Sequence, residues 1–332
     1  MRKLIDINGH IDYGYTPTDE INYLDFDLRN AMDKPLKRWQ KKLKFNQFQF
    51  VGMTSKRFIM GMAVVDLKYV SNCFIYLYDI EQDTFEEFDF IQAFAINTHS
   101  STQPNLGMTQ FRKGKNCLSI EAKAQKRHIK LHIDNGPSLN ATILENAGQR
   151  PLSLCAKAGY NGWVYTQKNT ALIVAGTLKW QGKVFELESN TLAAVDWSAG
   201  YMRRETNWYW ACLSGYLADG RRIGFNFASG VNETGFSENA LWLDGKQYKI
   251  DLMNFEFNRY QESQAWQLVS SDGTIKLNFN QQGKRAQKLN LLFIASNFRQ
   301  FFGHFNGSIQ VKDEIIELKD AWGLVEDHYA KW

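Results

Sequence analysis

Apolar and polar residues alternate with a period of two along most of the chain, which predicts strands nearly throughout. The segments "KFNQFQFVGM", "RFIMGMAVVDL" and "CFIYLYDI" are short and rich in β-branched and aromatic residues. The second half repeats the style in "NWYWACLSGYL", "RRIGFNFASG", "NALWLDGKQYKIDL" and "AWQLVSSDGTIKLNF". Between these runs lie Asp219-Gly220, Asp244-Gly245 and Asp272-Gly273. Asp-Gly flanked by strand patterns is a strong hairpin signal, because both residues tolerate positive φ. All five prolines lie at or before Pro151, as expected if the later strands are continuous and well paired. Helical periodicity longer than ten residues is nearly absent. The exception is "KPLKRWQKKLK", residues 34–44, which as a helix aligns Leu36, Trp39 and Leu43 among lysines. The class is all-β, a meander of barrels or sandwiches.

The two halves read as degenerate copies of one another. Asn72, Phe74, Tyr76, Tyr78 and Asp79 stand against Asn239, Leu241, Leu243 and Asp244. Each set follows a glycine-bearing strand, at Gly61 and Gly224, and leads into another alternating strand. The ends match too: Asp196 pairs with Asp320, Gly200 with Gly323, and Glu205 and Asn207 with Glu326 and His328. This predicts an internal duplication into domains 1–190 and 191–332, with a seam near 190 to 200. The C-terminal "AWGLVEDHYAKW" then becomes a closing strand of the second domain rather than a frayed tail.

The chain has 332 residues, with 39 basic and 35 acidic side chains and a net charge of +4. That balance is too mild to imply a nucleic-acid partner. The basic run 34–44 reads either as a solvated lead-in to the first strand or as a transient contact with a membrane surface. Cys73, Cys117, Cys155 and Cys212 are far apart and form no CxxC, so they read as free thiols of a reducing compartment. The N-terminus lacks an apolar signal core, and "FIMGMAVV" is too short to span a bilayer. A cytoplasmic location is expected.

Familiar catalytic devices are missing. "CLSGY" lacks the first glycine of a nucleophile elbow, and no Walker loop or G-x-G-x-x-G exists. His128 and His132 are four apart in an alternating strand, not on a helix, so no metal and no cofactor is expected. What remains is a polar-aromatic constellation. "VDWSAGYMRRETNWYW" holds Asp196, Trp197, Tyr201, Arg203, Glu205, Asn207, Trp208 and Trp210. "GFNFASGVNETGFSENALW" adds Asn226, Asn232, Glu233, Glu238, Asn239 and Trp242. His304, Asn306, Glu326 and His328 complete it. In a strand, Glu326 and His328 share a face, as do Glu205 and Asn207. Asn226 alternates against Phe225 and Phe227 and, if buried, needs hydrogen-bond partners on neighbouring strands. The functional reading is an apolar pocket with a few convergent carboxylates and amides. The plain alternative is that these groups seal barrel ends, the arginines pairing with Glu205 or Glu326.

The stretches "DWSAGYMRRETNWYWA", "GFNFASGVNETGFSENALWLDG" and "GHFNG…GLVEDHYAKW" resemble the family called domain of unknown function 2804, over nearly the whole chain. That family distantly resembles the carotenoid hydratase and AttH-like group of the lipocalin-like (calycin) superfamily. The resemblance implies two tandem lipocalin-like antiparallel β domains. In the wider group, members hydrate isolated double bonds or cyclise terpenoid or polyketide substrates.

The expectation is a binder of an apolar small molecule, lipid or isoprenoid-like, with acid-assisted hydration or isomerisation. Glu326 or Asp196 would supply the proton, His328 would orient it, and Trp208, Trp210 and Trp242 would form walls. The rivals are a non-catalytic lipid carrier and a carbohydrate-binding β protein.

Overall fold

The structure is a computed structural model of the full chain, and it describes residues 1–145, 149–187, 191–231, 235–291 and 294–332. By internal contacts the chain divides into two units, Met1–Arg203 and Arg204–Trp332.

The first unit opens with a loop-rich segment and one short helix, α1 (Arg38–Lys44). Its strands are β1 (Asn46–Thr54), β2 (Phe58–Asp66), β3 (Val70–Asp79), β4 (Thr84–Ala93), β5 (Thr98–Ser100), β6 (Gly107–Lys113) and β7 (Asn116–Lys123). They continue with β8 (Lys126–His132), β9 (Ser138–Leu144), β10 (Leu152–Ala158), β11 (Gly162–Trp180), β12 (Lys183–Glu186) and β13 (Leu192–Tyr201). The sheet runs β4-β3-β2-β1-β13-β11-β9-β8-β7-β6-β5, with β10 and β12 hydrogen-bonded to β11. The second unit holds β14 (Glu205–Tyr216), β15 (Arg222–Ser229), β16 (Ala240–Leu243), β17 (Lys246–Lys249) and β18 (Met253–Glu256). It ends with β19 (Trp266–Ser270), β20 (Ile275–Leu291), β21 (Ile294–Val311) and β22 (Glu314–Lys331). Its order is β17-β16-β15-β14-β22-β21-β20-β19-β18.

The two orders follow one plan, although the first path is longer and passes over β10 and β12. Each sheet is a four-strand meander whose first strand pairs with the unit's last strand, followed by the remaining strands in reverse. Every named pairing is antiparallel. These are two lipocalin-like β domains. The topology places β3 and β16 alike, but the residue match of 72–79 with 239–244 is corrected by one position: Tyr76 stands where Trp242 does, and Ile75 and Leu77 where Leu241 and Leu243 do. Gly61 pairs with Tyr76 and Gly224 with Trp242, the same glycine-under-aromatic rung in each copy. A Cβ on Gly61 would lie 2.3 Å from the Tyr76 ring, so only glycine admits that ring.

The end-of-copy matches are corrected. Glu205 and Asn207 open β14, the first strand of the second unit, whereas Glu326 and His328 lie in β22, the last. The counterpart of β22 is β13, because strand pairing fixes equivalence and the likeness of the two tails does not. Residues 191–203, grouped with the second domain in the sequence reading, fall in the first unit, where 192–201 pair as β13.

The turns are built as the dipeptides predict. Asp244 and Gly245 take φ of 46° and 79° in the two-residue loop between β16 and β17. The turns at Gly220 and Gly273 carry φ of 86° and 72°.

Each sheet buries its main hydrophobic cluster on one face. In the first unit that face carries Val51, Met62, Ile75, Leu77 and Val195; in the second, Ala211, Leu213, Phe225, Phe227 and Val325. Period-two alternation sends the intervening residues to the opposite face. Along β8, β19 and the start of β20 those residues are exposed, but nearer the middle of each sheet some are buried, Tyr76 and Trp242 completely.

Candidate functional site

The face of the second sheet away from its hydrophobic cluster carries the main group of candidate residues. The register places Trp208, His328 and Phe298 on one rung of β14, β22 and β21, and Trp210, Glu326 and Gln300 on the next. Alternation then directs all six to one face.

Glu326 is the centre. Its side chain is 9% exposed. The Trp208 indole N–H donates to Oε1 at 2.8 Å, and the Gln300 amide donates to Oε2 at 2.8 Å. His328 Nδ1 lies 3.5 Å from Oε1, longer than a hydrogen bond but close enough for a charge pair if the ring is protonated. The other ring nitrogen, Nε2, shares a hydrogen bond of 3.0 Å with Ser296 Oγ. His328 is held by aromatic contacts on two sides: Trp208 at 4.2 Å between ring centroids and Phe298 edge-on at 4.9 Å. The Arg285 guanidinium sits 4.9 Å over the Phe298 ring. Two buried nitrogens here, His328 Nδ1 and Trp332 Nε1, have no hydrogen-bond partner. The tail thus turns the carboxylate, the imidazole and an indole toward one another through its place as the last strand.

Trp210, Asn226 and Trp242 lie on the same face, and each is fully or nearly buried. The Trp210 indole donates to Asn226 Oδ1 at 2.7 Å, and Asn226 Nδ2 donates to the Glu238 carbonyl at 2.8 Å. The Phe225 and Phe227 rings stack on the other face at 4.3 Å, as the alternation requires. Asn239 is a clamp: Oδ1 accepts the Ala228 N–H and Nδ2 donates to the Asp251 carbonyl, both at 2.8 Å.

Other candidates lie elsewhere. Glu205 and Asn207 are exposed and alternate to the face opposite Trp208, where Glu205 accepts the Tyr329 hydroxyl at 2.6 Å. That bond raises the Tyr329 pKa, since the phenol is held as a donor to a carboxylate. His304 lies two rungs beyond Gln300 on the same face, its ring 4.0 Å from that of Trp322, and Asn306 sits at the β-bulge that follows. Asn306 exchanges hydrogen bonds with Asp320, and His304 Nδ1 meets the Asp320 carbonyl at 3.1 Å.

Asp196, Trp197, Tyr201 and Arg203 belong to the first unit. Asp196 sits on the face away from that unit's hydrophobic cluster, ion-paired with buried Lys168. Ser198 Oγ donates to its second oxygen at 3.1 Å and shares a bond of 2.7 Å with Thr166. Trp197 points the other way, edge-on to Tyr165. Tyr201 packs against Trp163, Phe45 and Phe26, and its hydroxyl donates to the Tyr23 carbonyl at 2.9 Å. Burial pushes its pKa up. The side chain of Arg203 lies beside Gly159. Asn232 and Glu233 lie outside the described residues.

Sequence reasoning missed Gln300, Phe298 and Ser296, and Lys168. The first three are spaced by two in β21, so a register between β21 and β22 would have found them. Among the described residues, no group of three or more His, Cys, Asp or Glu is placed to hold a metal ion. No described helix is long and apolar enough to cross a membrane.

The sequence matches the family described as Domain of unknown function (DUF2804) over residues 3–332. The chain belongs to that family. No curated protein matches it. Among solved structures, it is similar to kievitone hydratase from Nectria haematococca at 13% identity and a TM-score of 0.53, covering 86% of this chain and 89% of that one. It is also similar to CghA with Sch210972, at 10% identity and a TM-score of 0.56, covering 98% and 97%. At these identities the likeness is one of fold.

Proposed function

We propose that this DUF2804 protein binds an apolar small molecule, lipid or isoprenoid-like, and catalyses its acid-assisted hydration or isomerisation at Glu326 and His328. The observation that carries the reading is the setting of Glu326. A nearly buried carboxylate receives neutral N–H donors from Trp208 and Gln300, with an imidazole nitrogen 3.5 Å away. A structural carboxylate is usually matched by a cation. Here the group at charge-pairing distance is an ionisable histidine, which moves protons near neutral pH.

The geometry changes the roles expected of the pair. Glu326 is the acceptor of the cluster, so His328 is the proton carrier. Glu326 faces Nδ1 and stabilises the imidazolium, and Nε2, beside Ser296, exchanges the proton with the ligand. In hydration, that proton goes to one carbon of a double bond. The faces of Trp208 and Phe298 stabilise the positive charge left on the other. Water adds there and returns its surplus proton to His328. In isomerisation the proton leaves from a neighbouring carbon instead. Asp196 is a poorer donor, because its carboxylate is committed to the Lys168 ammonium. A likeness of fold to a protein named as a hydratase agrees with the reaction class. Four free cysteines support a reducing, cytoplasmic setting.

The test begins with mass spectrometry of organic extracts of the purified protein, wild type against Trp208→Ala. A hydrophobic compound carried by the first and missing from the second is expected. Incubated with that compound, Glu326→Gln and His328→Asn should each lose at least about a hundredfold in turnover, with the thermal midpoint nearly unchanged. Wild-type turnover in both variants would sink the assignment.

A further inference from the structure

The geometry points to a membrane-docking surface on the first unit, built around α1 and specific for anionic lipid. It is independent of the site at Glu326, which lies in the other unit.

Six cations, Lys34, Lys37, Arg38, Lys41, Lys42 and Lys44, fall within eleven residues that contain no acid. The structure sorts them. Lys41 turns inward, its ammonium bonded to the carbonyls of Leu24 and Phe26. The other five are exposed. The apolar residues of the run are sorted too. Leu36 packs into the cluster of Trp163, Tyr165 and Tyr201, while Phe45, fully buried, stacks on Tyr23 at 3.8 Å. The helix is therefore pinned at both ends. Trp39 and Leu43, one turn apart on one face, remain 59% and 45% exposed. An anchored helix that holds an indole and a leucine in water is doing something other than packing.

The patch extends beyond the helix. A tight hairpin, with Leu28 paired to Leu36 and Asn30 to Lys34, lifts Met32 to 75% exposure at its tip. The turn between β10 and β11 is tied to that hairpin by Asn161 Nδ2, which donates to the Arg29 carbonyl at 2.9 Å. This brings Tyr160, 80% exposed, to the same region. Of the nearby acids, Asp27 is paired with Arg29 at 2.7 Å; Asp25, held by the Asn22 amide at 2.9 Å, and Asp33 keep their charge and are outnumbered by the exposed cations.

An indole, a leucine and a methionine set among lysines match the boundary of a bilayer. Aromatic rings sit at headgroup level there, aliphatics dip below, and lysines meet anionic headgroups. The occupant is therefore a membrane surface bearing anionic phospholipid. The match is one of charge complementarity combined with exposed interfacial residues. Nucleic acid would leave the exposed aliphatics unused.

Cosedimentation of the full chain decides it, using vesicles of phosphatidylcholine alone and of phosphatidylcholine with phosphatidylserine. Binding to the mixed vesicles only, weakened by salt, is expected. The double variant R38Q/K42Q should lower partitioning about thirtyfold, at roughly fivefold per charge. The double variant W39A/L43A should abolish detectable binding, while Tyr260→Ala, an exposed aromatic of the second unit, should change nothing. All these positions are exposed, so thermal midpoints should match the wild type. Absence of binding, equal binding to both vesicles, or patch variants that bind like the wild type would each overturn the proposal.

Discussion

The last strand of each sheet carries a nearly buried carboxylate on the face away from the hydrophobic cluster, and the two are treated in opposite ways. With the rung of Gly61 aligned on that of Gly224, Asp196 falls one rung from the position of Glu326. Asp196 is met by the Lys168 ammonium, with Ser198 and Thr166 completing the network. Glu326 is met by an indole, an amide and, further off, an imidazole. The lesson concerns what a shared sheet plan leaves free to change. Strand order and register are held by backbone pairing and by core contacts on one face. The other face can exchange a permanent cation for neutral donors and a titratable ring. The first arrangement neutralises its carboxylate once and for all. The second leaves one whose charge balance depends on His328, which suits a proton-transfer site.

The largest expected effect lies on the committed side. Lys168→Met leaves Asp196 charged and buried without its cation, and should cost about 3–5 kcal/mol. The double variant with Asp196→Asn should recover most of that loss. Urea unfolding measures both; a single variant within about 1 kcal/mol of wild type would erase the contrast. On the other side, Trp208→Phe keeps a ring but removes the N–H from Glu326 Oε1. It should cost about 1–3 kcal/mol in the same assay, the range for one unsatisfied buried acceptor, and lower turnover as well. The smallest effect is at Glu205, which alternates away from Glu326. Glu205→Gln should leave turnover unchanged. It should also lower the Tyr329 pKa, because the carboxylate that disfavours the phenolate is gone. Ultraviolet titration of the phenolate, with Tyr329→Phe as the blank, reads the shift. A change in turnover would join the two faces that the register separates.

Much of the candidate site's geometry was legible, and the departures from it have a common cause. The pairing of Glu326 with His328 followed from i, i+2 alternation alone, and so did the placement of Asn226 against Phe225 and Phe227. Glu205, Asn207 and Trp197 were grouped with the site by nearness along the chain. In a strand, nearness by one residue means the opposite face. His304 shares the face of Gln300 but lies two rungs farther along β21, and Asn306 falls at the bulge beyond it, which no local signal marks. Gln300, Ser296 and Lys168 are unremarkable in sequence and gain meaning only from their cross-strand partners.

The sequence by itself determined the all-β class, the Asp-Gly turns, the likeness of the strands at 72–79 and 239–244 to within one residue, and which neighbours share a face. These are local properties, set by side-chain volume, φ preference and a period of two. The tertiary structure alone decided that β13 closes the first sheet and β22 the second, that Lys168 reaches Asp196, and that Trp208 and Gln300 reach Glu326. Those contacts join residues 26 to 118 positions apart. Their register is fixed by the summed burial of a whole sheet face, which no short stretch of the chain contains.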